Sequence, residues 1–224
     1  MLDVFTVDIE DDSRHWDTSI LSRAEEVRAE SIIQPKKRQR WMRSHIALRE
    51  RLAERIDKCP ASLRFGHQNG KPFLIAGQST SAPSFSIARS DRFLCIAICN
   101  ESKIGIDIES DRPVKNRRQK SSQFFCDYEH RMVSALDERE ADVAFLQIWT
   151  AKEAWLKAIG CGVRSFPVNE VCVERSPQLR YRHTRNYNEN GWNLIPIEWS
   201  GLIGCVASRN EFPNISLHHH DSGA

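Results

Sequence analysis

The pattern of apolar and polar positions predicts strands near both ends of the chain. Residues 4–10 are rich in β-branched side chains and predict an opening strand. Residues 84–109 predict a hairpin that turns at 100–102 into a further strand. The segment from about 168 to 208 contains short apolar runs that are more typical of strands than of helices.

Helical spacing of apolar residues predicts the remaining elements. We expect helices at 20–34, 41–56, 127–136 and 143–159. Pro35 marks a helix boundary, and Gly160 stands where the C-cap of the last helix is expected. Asn69–Pro72 predicts a turn.

A short internal echo bears on domain organisation. Val7–Glu10 and Ile106–Glu109 share the pattern of two β-branched residues, each followed by an acid. Two similar α+β halves, each on the order of 100 residues, would explain the echo and would fit the length of the chain.

Composition and charge narrow the class of protein. The chain has 224 residues, a formal net charge of +2 and 40% hydrophobic residues, which are ordinary values for a globular protein. The near-zero net charge argues against a dedicated nucleic-acid binder. The longest apolar stretch, Phe93–Cys99, is too short to cross a membrane, and the acidic N-terminus is unlike a signal peptide. A cytoplasmic protein without a membrane partner is expected.

The seven cysteines are scattered and form no CxxC pair. This spacing supports neither a disulfide framework nor a zinc ribbon. We expect buried free thiols in a reducing compartment.

Two segments carry candidate chemistry. In the first, I-G-I-D-I-E at 104–109, a strand would place Asp107 and Glu109 side by side on the face opposite the isoleucines. Such a pair of carboxylates is neutralised by a hard cation, with Mg²⁺ as the default. The alternative is a half-exposed edge strand whose acidic positions are turned to solvent.

The second segment is W-T-A-K-E-A-W-L-K at 149–157, where Trp149, Glu153 and Lys157 share one helix face. Packed against the acidic strand, this face would add a third carboxylate and a cation to a metal site. The alternative is an ordinary ion pair between Glu153 and Lys157. Lys152 faces elsewhere on the helix and is a weaker candidate for a site residue.

Together the two segments resemble the signature of the 4′-phosphopantetheinyl transferases, specifically the larger Sfp-type members. That signature is an I/V-G-I/V-D-x-E strand followed by F/W-S/C/T-x-K-E-A/S-x-x-K. The resemblance implies an α+β fold of two similar halves related by pseudo-two-fold symmetry. We place the coenzyme-anchoring half at 1–102, and the half with the metal site and catalytic helix at 103–224.

The resemblance also implies a reaction. The serine hydroxyl of an apo acyl or peptidyl carrier protein attacks the β-phosphate of coenzyme A, receives the 4′-phosphopantetheine arm and releases 3′,5′-ADP. By resemblance Asp107, Glu109 and Glu153 would hold Mg²⁺, Glu153 would act as general base directly or through a water, and Lys157 would hold the pyrophosphate and stabilise the departing oxygen.

Further residues match the coenzyme-binding segments of that family. They are Lys37, Arg40 and Ser44 in the basic run after Pro35, Lys71 and Pro72 in the G-K-P turn, and Ser90 after the strand at 85–87. The family pattern F-N-I/L-S-H-S reads Phe85–Ser90 here, with Arg89 in place of histidine and Ala88 in place of serine. A guanidinium still binds phosphate, so Arg89 is expected to contact the coenzyme.

Two other classes of function remain open at this point. A non-catalytic binding module could use the basic helix at 36–55 on RNA or an acidic partner, and a Mg²⁺-dependent phosphohydrolase could use the same carboxylates. The carrier protein and its pathway are not specified by the sequence. Larger members of the family are expected to be monomers by resemblance.

Overall fold

The computed structural model describes residues 1–68, 71–75, 82–100, 102–163, 165–175, 179–183, 191–199, 201–210 and 215–219. Within them the chain forms two β-sheets, a separate hairpin and five α-helices. The fold is therefore of the mixed α+β class, as the sequence predicts.

The first sheet has the order β11-β1-β5-β4, with β1 at Leu2–Asp8, β4 at Ser84–Ser90, β5 at Phe93–Cys99 and β11 at Ile215–His219. β11 pairs parallel to β1, whereas the other pairs are antiparallel. The predicted opening strand and hairpin are thus confirmed. A strand from the C-terminal segment belongs to this sheet, so the proposed division at 102/103 and its pseudo-symmetry stay predictions.

The second sheet has the order β6-β10-β9-β8-β7, with β6 at Ile104–Ser110, β7 at Val171–Arg175, β8 at Leu179–His183, β9 at Asn193–Trp199 and β10 at Leu202–Ser208. β2 at Phe65–Gln68 and β3 at Lys71–Leu74 form the separate hairpin. Its expected turn at Asn69 and Gly70 lies outside the described residues.

The helices are α1 at Arg23–Glu30, α2 at Pro35–Ile56, α3 at Arg117–Phe124, α4 at Asp127–Ala135 and α5 at Glu138–Ile159. Pro35 is the first residue of α2, where its missing N–H costs nothing. The basic run after it is therefore part of a single long helix. α3 was not expected from the sequence.

The two long helices cover different sheets. Leu48 and Leu52 of α2 share one core cluster with Ile96 of β5. Ala154 and Trp155 of α5 share another core cluster with Cys205 of β10.

Both ends of α5 are capped. Asp137 accepts a hydrogen bond from the Glu140 N–H and caps the start of the helix. Gly160, with φ of 76°, ends it, as expected.

Between the two sheets, β4 and β6 lie side by side and run in the same direction. The Ile106 N–H donates to Ser86 Oγ at 3.2 Å, and the Ser110 N–H donates to Ser90 Oγ at 2.8 Å. Serine hydroxyls therefore take the place of a backbone ladder. We call this boundary between β4 and β6 the seam.

One expectation about the cysteines is wrong. Cys126, at the N-cap of α4, forms a disulfide with Cys172 in β7. The two residues are 46 positions apart, so no local spacing marked them as a pair. Cys95, Cys99 and Cys205 are buried and outside any disulfide, as expected, whereas Cys59 is exposed and Cys161 is half-buried.

A search of the described residues for membrane-spanning segments finds no helix that is long and apolar enough to cross a bilayer.

Candidate active site

Asp107 and Glu109 of β6 lie beneath helix α5 beside the seam. Gly105 permits this close approach, because an added Cβ would lie 1.9 Å from the Ala154 carbonyl oxygen and 2.5 Å from the Ala158 nitrogen. Asp107 is only 9% exposed. The alternative of acidic positions turned to solvent is therefore wrong for Asp107.

Lys157 of α5 connects the helix to both sides of the seam. Its Nζ lies 2.8 Å from Asp107 Oδ1 and donates to the Ile106 carbonyl oxygen at 3.0 Å in β6. It also donates to the Ile87 carbonyl oxygen at 3.3 Å in β4. These contacts leave the helix, so the simple alternative of a pair with Glu153 does not account for Lys157.

The three carboxylates influence one another electrostatically. The pKa of Asp107 is raised to about 6, mainly by burial; Lys157 opposes this shift, and the charges of Glu153 and Glu109 add to it. Burial also raises the pKa of Glu153, with Glu109 adding to the effect and Lys157 opposing it. The structure thus brings Asp107, Glu109, Glu153 and Lys157 near one another, and their roles as metal ligands and catalytic groups stay predictions.

The oxygen donors suit a hard cation, because a bound positive charge would offset the burial and, to a smaller extent, the repulsion that raise the pKa of Asp107. The three side chains are more widely spaced than in a closed metal cage. Among the described residues, the one cluster with all donor atoms within 4.8 Å of one another is Cys126, Glu129 and Cys172. Its sulfurs form the disulfide, and its carboxylate pairs with Lys152.

On the other side of the seam, β4 contributes Ser90 and Arg89. Ser90 is buried, and its hydroxyl lies 3.4 Å from Glu109 Oε2 and 3.1 Å from Ser110 Oγ. Arg89 is exposed and forms no hydrogen bond or ion pair with the part of the chain that the structure describes. Arg89 lies close enough to His45 to lower the pKa of that ring, although burial is the larger cause.

Lys71 extends from β3 towards the C-terminal end of α5. Its Nζ donates to the carbonyl oxygens of Ile104 at 2.8 Å and Lys157 at 2.9 Å. Burial, with the charges of Lys157 and Lys103, lowers the pKa of Lys71 to about 8. The Lys71 side chain is therefore in direct contact with the backbone of Lys157. Pro72 is the next residue in β3.

The three residues predicted in the basic run lie away from this group. Arg40 pairs with Glu10, and the buried Ser44 hydroxyl donates to the Arg40 carbonyl oxygen at 2.7 Å. Lys37 is exposed and contacts no described residue through a hydrogen bond. The structure does not bring Lys37, Arg40 and Ser44 together with the carboxylates.

A neighbouring face of α2 lines a cavity of about 600 Å³ that sequence reasoning missed. Trp41 and His45 stack there with ring centroids 3.6 Å apart, and Pro72 lies at the same cavity. Arg28 and Arg64 also line it, which gives an aromatic and cationic site. The signal that could have found it is the spacing of Trp41, His45 and Arg49 on one helix face.

Comparison with known proteins gives the family. Residues 103–206 match the family model described as the 4′-phosphopantetheinyl transferase superfamily. A Synechocystis sp. protein, provisionally named the 4′-phosphopantetheinyl transferase slr0495, is 32% identical over 178 residues, which cover 79% of this chain and 71% of the relative.

Two further relatives agree. The 4′-phosphopantetheinyl transferase HetI of Nostoc sp. is 29% identical over 154 residues, covering 68% of this chain and 65% of the relative. The 4′-phosphopantetheinyl transferase Sfp of Bacillus subtilis is 28% identical over 166 residues, covering 68% of this chain and 71% of the relative. This chain belongs to the 4′-phosphopantetheinyl transferase superfamily and is a transferase of that type.

Proposed function

We propose that this chain is an Sfp-type enzyme that transfers the 4′-phosphopantetheine arm of coenzyme A to a serine of an apo acyl or peptidyl carrier protein, releasing 3′,5′-ADP. The observation that carries the proposal is that three carboxylates and Lys157 lie near one another beside the seam, close enough for their charges to act on the pKa of Asp107 and of Glu153. A passive binding module has no use for a buried carboxylate whose pKa is raised towards neutrality.

Asp107, Glu109 and Glu153 would hold a Mg²⁺ ion, whose oxygen preference matches theirs. The ion would reduce the negative charge of the coenzyme pyrophosphate and orient it. With one oxygen from each of the three carboxylates, an octahedral Mg²⁺ would keep positions for phosphate oxygens and water, and the side chains would move closer together around the ion.

The remaining chemistry falls to two side chains of α5. Glu153 has a raised pKa and would accept the proton of the carrier serine, directly or through a water. The serine oxygen then bonds to the β-phosphorus as the bond to 3′,5′-ADP breaks. Lys157 would stabilise the negative charge on the departing oxygen, since its ammonium already lies at the seam.

The coenzyme itself would extend along the cationic side of the site. Arg89, Ser90, Lys71 and Pro72 are proposed as its contacts near the pyrophosphate. The cavity lined by Trp41, His45, Arg28 and Arg64 has the rings and charges suited to an adenine nucleotide. This arrangement supports a coenzyme-anchoring role for the half at 1–102.

Lys37, Arg40 and Ser44 have weaker support as coenzyme contacts. Arg40 is engaged by Glu10, and Ser44 is buried with its hydroxyl bonded inside α2. We further propose a cytoplasmic monomer that acts on carrier proteins and on neither nucleic acid nor membranes.

Intact-mass spectrometry of an apo carrier protein, incubated with the chain, coenzyme A and Mg²⁺, tests the function. We expect a gain of one phosphopantetheine group that is lost with EDTA. Asp107→Asn should reduce the rate by on the order of a hundredfold or more. Asp111→Asn is the matched control, because Asp111 pairs with Arg139 near the start of α5 and not with a residue of the site.

Two results would contradict the proposal. The first is that the folded chain modifies none of several acyl and peptidyl carrier proteins. The second is breakdown of coenzyme A without any carrier, which indicates a phosphohydrolase.

A further inference from the structure

Lys152, the residue before Glu153 in α5, is held in the protein interior. Its side chain is 1% exposed. Nζ donates to the carbonyl oxygens of Val171 at 2.5 Å and Val168 at 3.0 Å, and to that of Phe124 at 3.4 Å. Phe124 ends α3, Val168 lies in the turn after α5, and Val171 begins β7. One ammonium group therefore connects α5 to three other segments.

Glu129 of α4 completes this arrangement. The side chain is wholly buried, and its Oε2 lies 2.7 Å from Lys152 Nζ. Oε2 accepts the Cys126 N–H at 2.9 Å, and Oε1 accepts the Val173 N–H at 2.7 Å. Both carboxylate oxygens are thus occupied, and they join the start of α4 to β7.

The disulfide Cys126–Cys172 connects the same two segments covalently. The pair and its backbone partners therefore lie in a region that is restrained by bonds as well as by packing. An unpaired charge here has no access to water.

Lys152 and Glu153 are neighbours on the helix, so their side chains point about 100° apart around its axis. Lys152 points to α4 and β7, whereas Glu153 and Lys157 face β6 and the seam. Any rotation of α5 that moves Lys152 from its carbonyl partners also moves Glu153 relative to Asp107. Gly105 packs against the helix backbone from the other side, which leaves little freedom for α5 to slide.

We infer that Lys152 and Glu129 are positioning residues for phosphopantetheine transfer: they fix the rotation of α5 so that Glu153 and Lys157 meet Asp107 at the seam. This inference rests on the proposed function. It assigns to Lys152 a role in the reaction through Glu153, without contact to substrate.

A purely structural role is the competing explanation, and it predicts a different result. Replacing a buried ion pair by apolar residues of similar volume often leaves stability unchanged, because the desolvation of both charges is avoided. If the pair only fills the core, replacing both Lys152 and Glu129 by apolar residues should recover the stability and the turnover that replacing Lys152 alone removes. If the pair positions α5, stability recovers while turnover does not.

The test compares Lys152→Met with Lys152→Met/Glu129→Met in steady-state transfer to an apo carrier protein. We expect kcat to fall at least about tenfold in both, because a displacement of Glu153 on the order of 1 Å is sufficient. The KM for coenzyme A should stay within about threefold, since the cavity of α2 is untouched. The Mg²⁺ concentration for half-maximal activity should rise several-fold in both, as the carboxylates separate.

Thermal unfolding supplies the second measurement. The single variant should unfold at a lower temperature because Glu129 loses its cation, and the double variant should recover most of the loss. If the single variant does not fold, the double variant alone decides. Val133→Ala is the matched control: it lies one turn after Glu129 in α4, is buried, and should lower stability without lowering kcat.

A double variant with wild-type kcat and wild-type half-activation by Mg²⁺ would overturn the inference and leave the transferase function intact. A wild-type chain that modifies no carrier would instead contradict the proposed function. The two failures are therefore distinguishable in the same set of reactions.

Discussion

Lys157 is the residue at which both sheets meet the helix. Its ammonium contacts β4 through Ile87 and β6 through Ile106 and Asp107. A substitution there would disturb the seam and the charge balance together. Arg89, on the coenzyme side of the site, gives a cleaner test, because it is exposed and forms no hydrogen bond or ion pair with a described residue.

Arg89→Ala should raise the KM for coenzyme A about tenfold and leave kcat within about twofold. A charge-assisted contact to phosphate contributes on the order of 1.5–3 kcal/mol, and Arg89 has no partner among the described residues that it would leave unpaired. Initial rates over a range of coenzyme A concentrations measure both constants. Arg92→Ala is the control, since Arg92 pairs with Asp8. Equal KM values for wild type and Arg89→Ala would remove Arg89 from the coenzyme site.

A pH series tests Lys71. Its pKa is lowered to about 8, so the ammonium is charged below pH 8 and neutral above it. If it binds phosphate, the KM for coenzyme A should rise above pH 8, at most about tenfold per unit for one proton. Lys71→Arg should remove this rise because arginine keeps its charge. Lys103→Arg, which keeps the positive charge of a second residue lining the same cavity as Lys71, should keep the rise. A flat wild-type KM between pH 7 and 9 would contradict a coenzyme contact.

At the scale of elements, the contact between α5 and β6 determines whether the site forms. Gly105 lies against the backbone of α5, not against flexible side chains. A methyl group there cannot be accommodated by a change of rotamer. The helix itself has to move, and Glu153 and Lys157 move with it.

Gly105→Ala should therefore destabilise the fold by about 1–3 kcal/mol and reduce turnover on the order of a hundredfold. Chemical denaturation and the carrier-modification assay measure the two effects. Gly162→Ala serves as the control, because its nearest neighbour to an added Cβ is Ser165 Oγ at 3.7 Å. Wild-type activity in Gly105→Ala would mean that α5 tolerates displacement, which the positioning argument does not allow.

Local sequence patterns predicted the strand and the helix that carry the site. They did not predict α3, the disulfide or the cavity at α2, each for a different physical reason. The alternation at 104–109, the helix at 143–159 and the cap at Gly160 are visible within single windows of sequence. α3 has no apolar periodicity, so hydrophobic spacing could not reveal it. The disulfide joins residues 46 positions apart. The basic side chains drew attention to one face of α2, although its aromatic face lines the cavity.

At the scale of the whole molecule, the first and last strands of the described chain lie next to each other. β11 pairs with β1 along its whole length, from Leu2–Ile215 to Thr6–His219. The sheet of the N-terminal segment is therefore completed only when the C-terminal segment returns to it. This connection makes the folding of the two proposed halves interdependent.

Removing all residues after Asn210 should accordingly lower the thermal midpoint by several degrees, because β1 loses a hydrogen-bonded neighbour and becomes an edge strand. Removing only the residues after His219 keeps β11 and is the matched control. Scanning calorimetry of both chains measures the effect. Equal midpoints would show that β11 adds nothing to the first sheet.

The cross-link between Cys126 and Cys172 has a consequence for the unfolded chain. It closes a covalent ring over 46 residues, and α4 and α5 lie inside that ring. Ring closure reduces the number of conformations open to the unfolded segment, worth about 3–4 kcal/mol at 25 °C in a chain-entropy treatment. The segment that forms helix α5, with Glu153 and Lys157, therefore has fewer unfolded conformations to lose each time the chain refolds. The thiol–disulfide balance around the protein sets how large that advantage is.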